Sequence, residues 1–174
     1  MMKRLTAAAV AATLTFFSIS APAQAGEPYW QCVTFARMFS GIQIFGDAWT
    51  WWESATGKYA KGSTPETGAV LVFRPNGRMT RGHVAVISQV LTDRVVQITH
   101  ANWGGSRGRV EENVTLVDVS DKGDWSLVRV WHAPSGNLGV TTYPTYGFIY
   151  QTARDAAREA GRAASQIAAG SGQD

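Results

Sequence analysis

Residues 67–102 read TGAVLVFRPNGRMTRGHVAVISQVLTDRVVQITHAN, and this stretch decides the fold class. Aliphatic and β-branched residues come in short runs, Ala69–Phe73, His83–Leu91 and Val95–Thr99, broken by Pro75-Asn76-Gly77 and by Leu91-Thr92-Asp93-Arg94. Such runs between turn residues predict antiparallel strands, the last two joined by a tight hairpin. Two more strands are expected over Arg109–Asp118 and Leu127–Trp131. Upstream the period changes. Val33, Phe35, Ala36, Phe39 and Ile42 recur at helical spacing, which predicts a helix over 31–41 with Gly41 as its stop. A second helix is expected over 47–55, capped by Asp47 and carrying Trp49, Trp51 and Trp52, with residues 57–68 as a turn-rich connector. Helices first and a meander afterwards predict an α+β domain, its N-terminal helices packed on one side of an antiparallel β-sheet.

The ends of the chain read differently. Met1–Arg4 is basic, Leu5–Ile19 is apolar, and Ala23-Gln24-Ala25 puts small residues where a signal peptidase reads them. Residues 1–25 are therefore expected to be a signal peptide of an exported protein, since the apolar run is too short for a spanning helix of roughly 20 residues. The bulky Tyr29-Trp30-Gln31 before Cys32 speaks against lipidation there. Residues 26–135 are expected to form the catalytic domain, and 136–174 a connector and an Ala/Arg-rich helical tail. In that tail Arg154, Arg158 and Arg162 repeat every four residues. A solvated face is favoured for this stripe, with docking of an activator or regulatory partner as the alternative.

With 45% hydrophobic and 17% charged residues, the chain suits one folded domain rather than a disordered one. Its net charge of +3 falls to +1 without Lys3 and Arg4, which is no charge balance for nucleic acid. One domain of this size buries about two thirds of its extended surface and stands as a monomer without disulfides or metal. Only one cysteine is present. Exported domains use cysteines in pairs, so a lone Cys32 is either an inert buried residue or one kept for its thiolate.

Placed at the start of the first helix, Cys32 has free backbone N–H groups and the positive end of the dipole beside it. Both favour a thiolate and can stabilise an oxyanion. Gln31 and Tyr29 are candidates for a further donor, and Trp103 for a wall of the substrate groove, although core packing accounts for most of the tryptophans. A thiol nucleophile needs a base, and only three histidines exist. His83 follows Gly82, which leaves room for a close approach, and opens a strand. His100 and Asn102 share one side at the end of the next strand, where a hairpin brings them beside His83. Either can orient the base through its other ring nitrogen. His132 reads as structural or exposed. Neither the histidines nor the cysteine have zinc-ligand spacing, and no acidic calcium loop is present, so no metal or other cofactor is expected.

A thiol opening a helix at Gln31-Cys32, then Thr67–Phe73 leading to Gly82-His83-Val84-Ala85-Val86-Ile87, then His100-Ala101-Asn102-Trp103-Gly104, resembles the CHAP family of cysteine- and histidine-dependent amidohydrolases and peptidases. The resemblance covers roughly 29–131. It implies a papain-like fold, peptidoglycan as substrate, Cys32 as nucleophile, His83 as base and Asn102 as orienting residue. Where the family commonly carries Glu two residues before that Asn, this chain has His100, so Asn102 and His100 both stay open as third member. The expected activity is hydrolysis of a peptidoglycan amide through a thioester, either as an N-acetylmuramoyl-L-alanine amidase or as an endopeptidase. The alternatives are an inactive or catalytically weak periplasmic binding or regulatory domain on the same scaffold and an effector aimed at a competitor's wall or a host amide.

Overall fold

The computed structural model describes residues 28–151; the expected signal peptide and the helical tail beyond residue 151 lie outside the described residues. Helix α1 spans Cys32–Ser40 and stops at Gly41, the expected stop, which has a left-handed φ of 72°. The expected helix over 47–55 is a 3-10 turn, Ala48–Thr50, running into a four-residue α2, Trp51–Ser54. Asp47 does not cap it through its side chain. That carboxylate faces Arg81 at 3.7 Å, while the Asp47 backbone carbonyl accepts the Thr50 N–H.

The strands are β1 (Ala60–Gly62), β2 (Val70–Phe73), β3 (His83–Val90), β4 (Val95–Ala101), β5 (Val110–Asp118), β6 (Leu127–His132), β7 (Asn137–Leu138) and β8 (Tyr143–Tyr150). Strands β2 to β6 form the meander expected from their turn signals. The architecture differs from the expectation. Strand β8 pairs with β2 on one side and, through Leu127–Pro144 and Val128–Tyr143, with β6 on the other. The described residues are thus mostly β, a closed six-stranded antiparallel barrel β2-β3-β4-β5-β6-β8, with β1 and β7 as extra strands and, among those residues, only two short α-helices. It is not a layer of N-terminal helices on an open sheet.

The closing strand was hidden by its own composition. Pro144 and Gly147 interrupt any alternating pattern in Tyr143–Tyr150, and both have positional reasons to be there. Pro144 lies at the strand's start. Gly147 has a φ of 125°, and a Cβ on it would stand 2.6 Å from the Gly62 carbonyl oxygen and 3.0 Å from the Trp52 ring. The pairing to β2 shifts register at Val72–Phe73, which absorbs the irregularity.

Every residue of β2 is buried because the barrel wall has a core on each side. Leu71 and Phe73 join Ala85, Ile87, Ile98, Leu116, Val128 and Phe148, a cluster to which all six barrel strands contribute and which fills the interior. Val70 and Val72 join Val84, Phe35, Ala36 and Trp51 in the second cluster, between the wall and the helices. By this alternation His83 shares the inner side with Ala85 and Ile87, and His100 shares it with Ile98. Both histidines therefore sit at the rim of the barrel interior, while α1 lies across the outer side of β3.

Candidate active site

The first helical bond of α1 runs from the Phe35 N–H to the Gln31 carbonyl, and no side chain caps the N-terminus. No backbone carbonyl of the helix takes its earliest N–H groups. Cys32 is partly buried, and burial pushes its thiol above the ordinary 9.0. Hydrogen bonds from the backbone N–H groups of Val84, Val33 and Cys32 itself oppose that rise. The sulfur consequently rests against the start of β3, one residue from His83.

The two histidines meet across the hairpin. Val86 pairs with Thr99, so the ladder sets Ala85 across from His100 and makes His83 its diagonal neighbour. His83 Nε2 lies 3.1 Å from His100 Nδ1. His83 Nδ1 takes no part in that contact. Both rings are buried, and burial holds both below the usual imidazole value; His83 is lowered further by its neighbour, and His100 falls to about 4. Burial thus favours a protonated thiol at Cys32 and neutral imidazoles at His83 and His100.

Trp103 roofs this pair. Its ring lies nearly parallel to His100 at 5.3 Å and edge-on to His83 at 4.8 Å, and it is itself packed by Phe73 at 5.5 Å and by Tyr143 of β8 at 5.0 Å. The closing strand that the sequence concealed thus helps keep water from the imidazoles.

Asn102 does a different job. Its φ is 59°, a conformation asparagine tolerates better than most residues. Its Nδ2 donates to Gln31 Oε1 at 3.1 Å, and its Oδ1 accepts the Gly108 N–H at 3.1 Å. Asn102 therefore links the residue before the thiol to the loop after β4, and His100 is the group at His83 Nε2. Tyr29 is exposed and covers Gly108, where a Cβ would stand 2.6 Å from its ring. What approaches Gly82 is protein: a Cβ there would meet the Phe73 carbonyl oxygen at 2.7 Å and the Trp49 nitrogen at 3.0 Å. His132 is exposed and pairs with Ser135 Oγ at 2.9 Å.

Beyond the expected residues, the structure adds Glu111. This β5 residue pairs in register with His100 and stands 3.7 Å from its Nε2. Nothing in the sequence separates Glu111 from the adjacent Glu112. Among the described residues no group of three or more His, Cys, Asp or Glu is gathered to hold a metal ion, and no helix is long and apolar enough to cross a membrane.

The family model of the CHAP domain matches residues 23–102. That stretch belongs to the CHAP domain family. The matched segment takes in Cys32, His83, His100 and Asn102 and stops before β5, so Glu111 and the closing strand β8 lie outside it. CHAP domains are peptidoglycan-related hydrolases of the amidase and peptidase type. No curated protein matches the chain.

Proposed function

We propose that this CHAP domain is an exported cysteine hydrolase that cleaves an amide bond of peptidoglycan, as an N-acetylmuramoyl-L-alanine amidase or an endopeptidase. The observation that carries the reading is the buried 3.1 Å contact between His83 Nε2 and His100 Nδ1, with the Cys32 thiol held at the neighbouring Val84 N–H. Cys32 is the nucleophile, His83 the base and His100 the residue that orients the base. Asn102 and Gln31 hold the approach to the thiol, and Tyr29 and Trp103 flank the groove. Residues 1–25 direct export, 26–135 hold the catalytic residues, and the tail of 136–174 begins with a segment that completes the barrel. A monomer suffices, because all these residues come from one chain.

Because burial disfavours both a thiolate and an imidazolium at rest, the charges form during attack. As the Cys32 sulfur bonds to the carbonyl carbon, its proton passes to His83 Nδ1 and the carbonyl electron pair moves to oxygen. Helix-start N–H groups stabilise that oxyanion. The intermediate collapses, the C–N bond breaks, and the leaving amine takes the proton from His83. Water then attacks the thioester, giving one proton to His83; the C–S bond breaks, and the departing sulfur recovers that proton to regenerate the thiol. Donation from His83 Nε2 to His100 keeps Nδ1 aimed at the sulfur throughout.

The test is digestion of purified peptidoglycan by the Gly26–Asp174 chain under reducing conditions, beside Cys32→Ala, with mass spectrometry of released fragments. Release by the intact protein alone supports the reading, and the fragment masses assign the bond. Binding to sacculi without release by either protein overturns it in favour of a binding or regulatory domain.

A further inference from the structure

Two neutral imidazoles sharing one hydrogen have two arrangements, and only one of them is useful for the function proposed above. If His83 Nε2–H donates to His100 Nδ1, then His83 Nδ1 carries a lone pair and can serve as base, and His100 presents an Nε2–H outward. If His100 Nδ1–H donates instead, His83 Nδ1 is protonated and cannot take a proton from the thiol. Whatever faces His100 Nε2 chooses between them.

What faces it is Glu111. His100 Nε2 and Glu111 Oε2 are buried atoms 3.7 Å apart, and neither has a hydrogen-bond partner among the described residues. The other carboxylate oxygen, Oε1, is 3.7 Å from Arg109 Nη2. A carboxylate oxygen accepts a hydrogen and repels a lone pair, so it favours Nε2–H on His100. The backbone is shaped to put it there. Between Ile98–Val114 and His100–Glu111, one β4 residue, Thr99, faces two β5 residues, Glu112 and Asn113. This is a β-bulge, with Asn113 at a φ of 53° and held by Ser88 Oγ at 3.2 Å. Without it the register would set Glu112 across from His100.

We propose that Glu111 is a positioning residue that acts through His100: its carboxylate holds His100 with hydrogen on Nε2, and thereby holds His83 with a lone pair on Nδ1 to take the Cys32 proton. This rests on the reading of His83 as the base for Cys32. On substrate attack the two bonds His83 Nε2–H to His100 Nδ1 and His100 Nε2–H to Glu111 Oε2 shorten together as positive charge grows on His83, with no proton transferred to the carboxylate.

The experiment is two-bond ¹H–¹⁵N correlation NMR of the histidine-labelled Gly26–Asp174 chain, as wild type, Glu111→Gln and Glu111→Leu, with kcat and KM measured on the same samples. In the wild type both His83 and His100 should carry hydrogen on Nε2. Glu111→Leu should mix the tautomers and lower kcat about tenfold with KM changed less than about twofold. Glu111→Gln, whose Oε1 still accepts, should restore the tautomers and most of kcat. A wild-type spectrum with His100 protonated at Nδ1 overturns the proposal without any variant having to fold. So do wild-type tautomers and wild-type kcat in Glu111→Leu. Hydrolysis that survives Cys32→Ala overturns instead the parent reading, and leaves the tautomer measurement to be judged by itself.

Discussion

Two buried polar clusters sit on β4, β5 and their flanking turns, and they are finished to different degrees. Around Asp118 each carboxylate oxygen is engaged: Oδ1 accepts from Ser120 N–H at 2.9 Å and Ser120 Oγ at 2.6 Å, while Oδ2 accepts from Trp125 N–H at 3.3 Å and lies 3.3 Å from Arg94 Nε. Around His100 the chain ends on a nitrogen and an oxygen that face one another unbonded. A fully satisfied buried network locks a turn, here the one that carries Trp125 into the barrel interior. An unfinished one costs stability and persists where another requirement keeps it. The contrast separates a structural cluster from a candidate catalytic one without reference to residue type.

That contrast can be broken by substitution, and the largest effect belongs to the thiol. Cys32→Ala should lower hydrolysis on the order of 10⁴-fold and leave the thermal midpoint where it is, read by kinetics and a melt on one sample. A midpoint that falls as far as that of an Asp118 variant would make Cys32 a packing residue. His100→Ala should lower kcat on the order of 10²-fold. Asn102→Gly, which keeps the left-handed backbone and removes only the bridge to Gln31 and Gly108, should lower kcat/KM about tenfold. The reverse order would make Asn102 the orienting group.

Asp118→Ala should cost about 3 kcal/mol of unfolding free energy, since it strands the buried Ser120 and Trp125 N–H donors and removes the carboxylate beside Arg94, which keeps only the Asp118 and Ser120 carbonyls. Its folded fraction should keep kcat within about twofold, because the cluster is remote from the thiol. Chemical denaturation and active-site titration measure the two halves of that statement.

The smallest effect is on pH. A histidine whose folded-state value is lowered binds fewer protons in the native state than in the unfolded one. Its contribution is fully present above the ordinary 6.5 and is lost as pH falls, for His100 down to about 4. His83, also lowered, adds to the same limb. The melting midpoint should therefore drop between pH 6.5 and 4, and His100→Gln should flatten part of that drop. A wild-type midpoint constant across this window would show that the imidazoles are not held neutral.

Much of the fold is legible in the sequence. The start and stop of α1, the five consecutive strands and the placing of His83 and His100 on one side all follow from period, turn chemistry and the glycine at position 41. Those signals are local. The helix expected over 47–55 is there, but it opens as a 3-10 turn, where the Trp49 N–H donates to the Arg81 carbonyl at 3.2 Å, and only its last four residues are α-helical. The role of Asn102 was beyond local reading: type and spacing allowed it to face His83, and only the path of the following loop engages it with Gly108.

The sequence by itself determined the elements, the hairpin that joins the histidine strands and the helix start that holds the thiol, because each depends on residues a few positions apart. Only the tertiary structure decided that the meander closes into a barrel, since closure rests on β8 meeting β2 and β6 from far along the chain, through a segment whose proline and glycine obscure its strand character. It alone decided, too, that Glu111 rather than Glu112 faces His100. A single extra residue in a bulge reverses which of two adjacent side chains points inward, and the amino-acid order carries no mark of it.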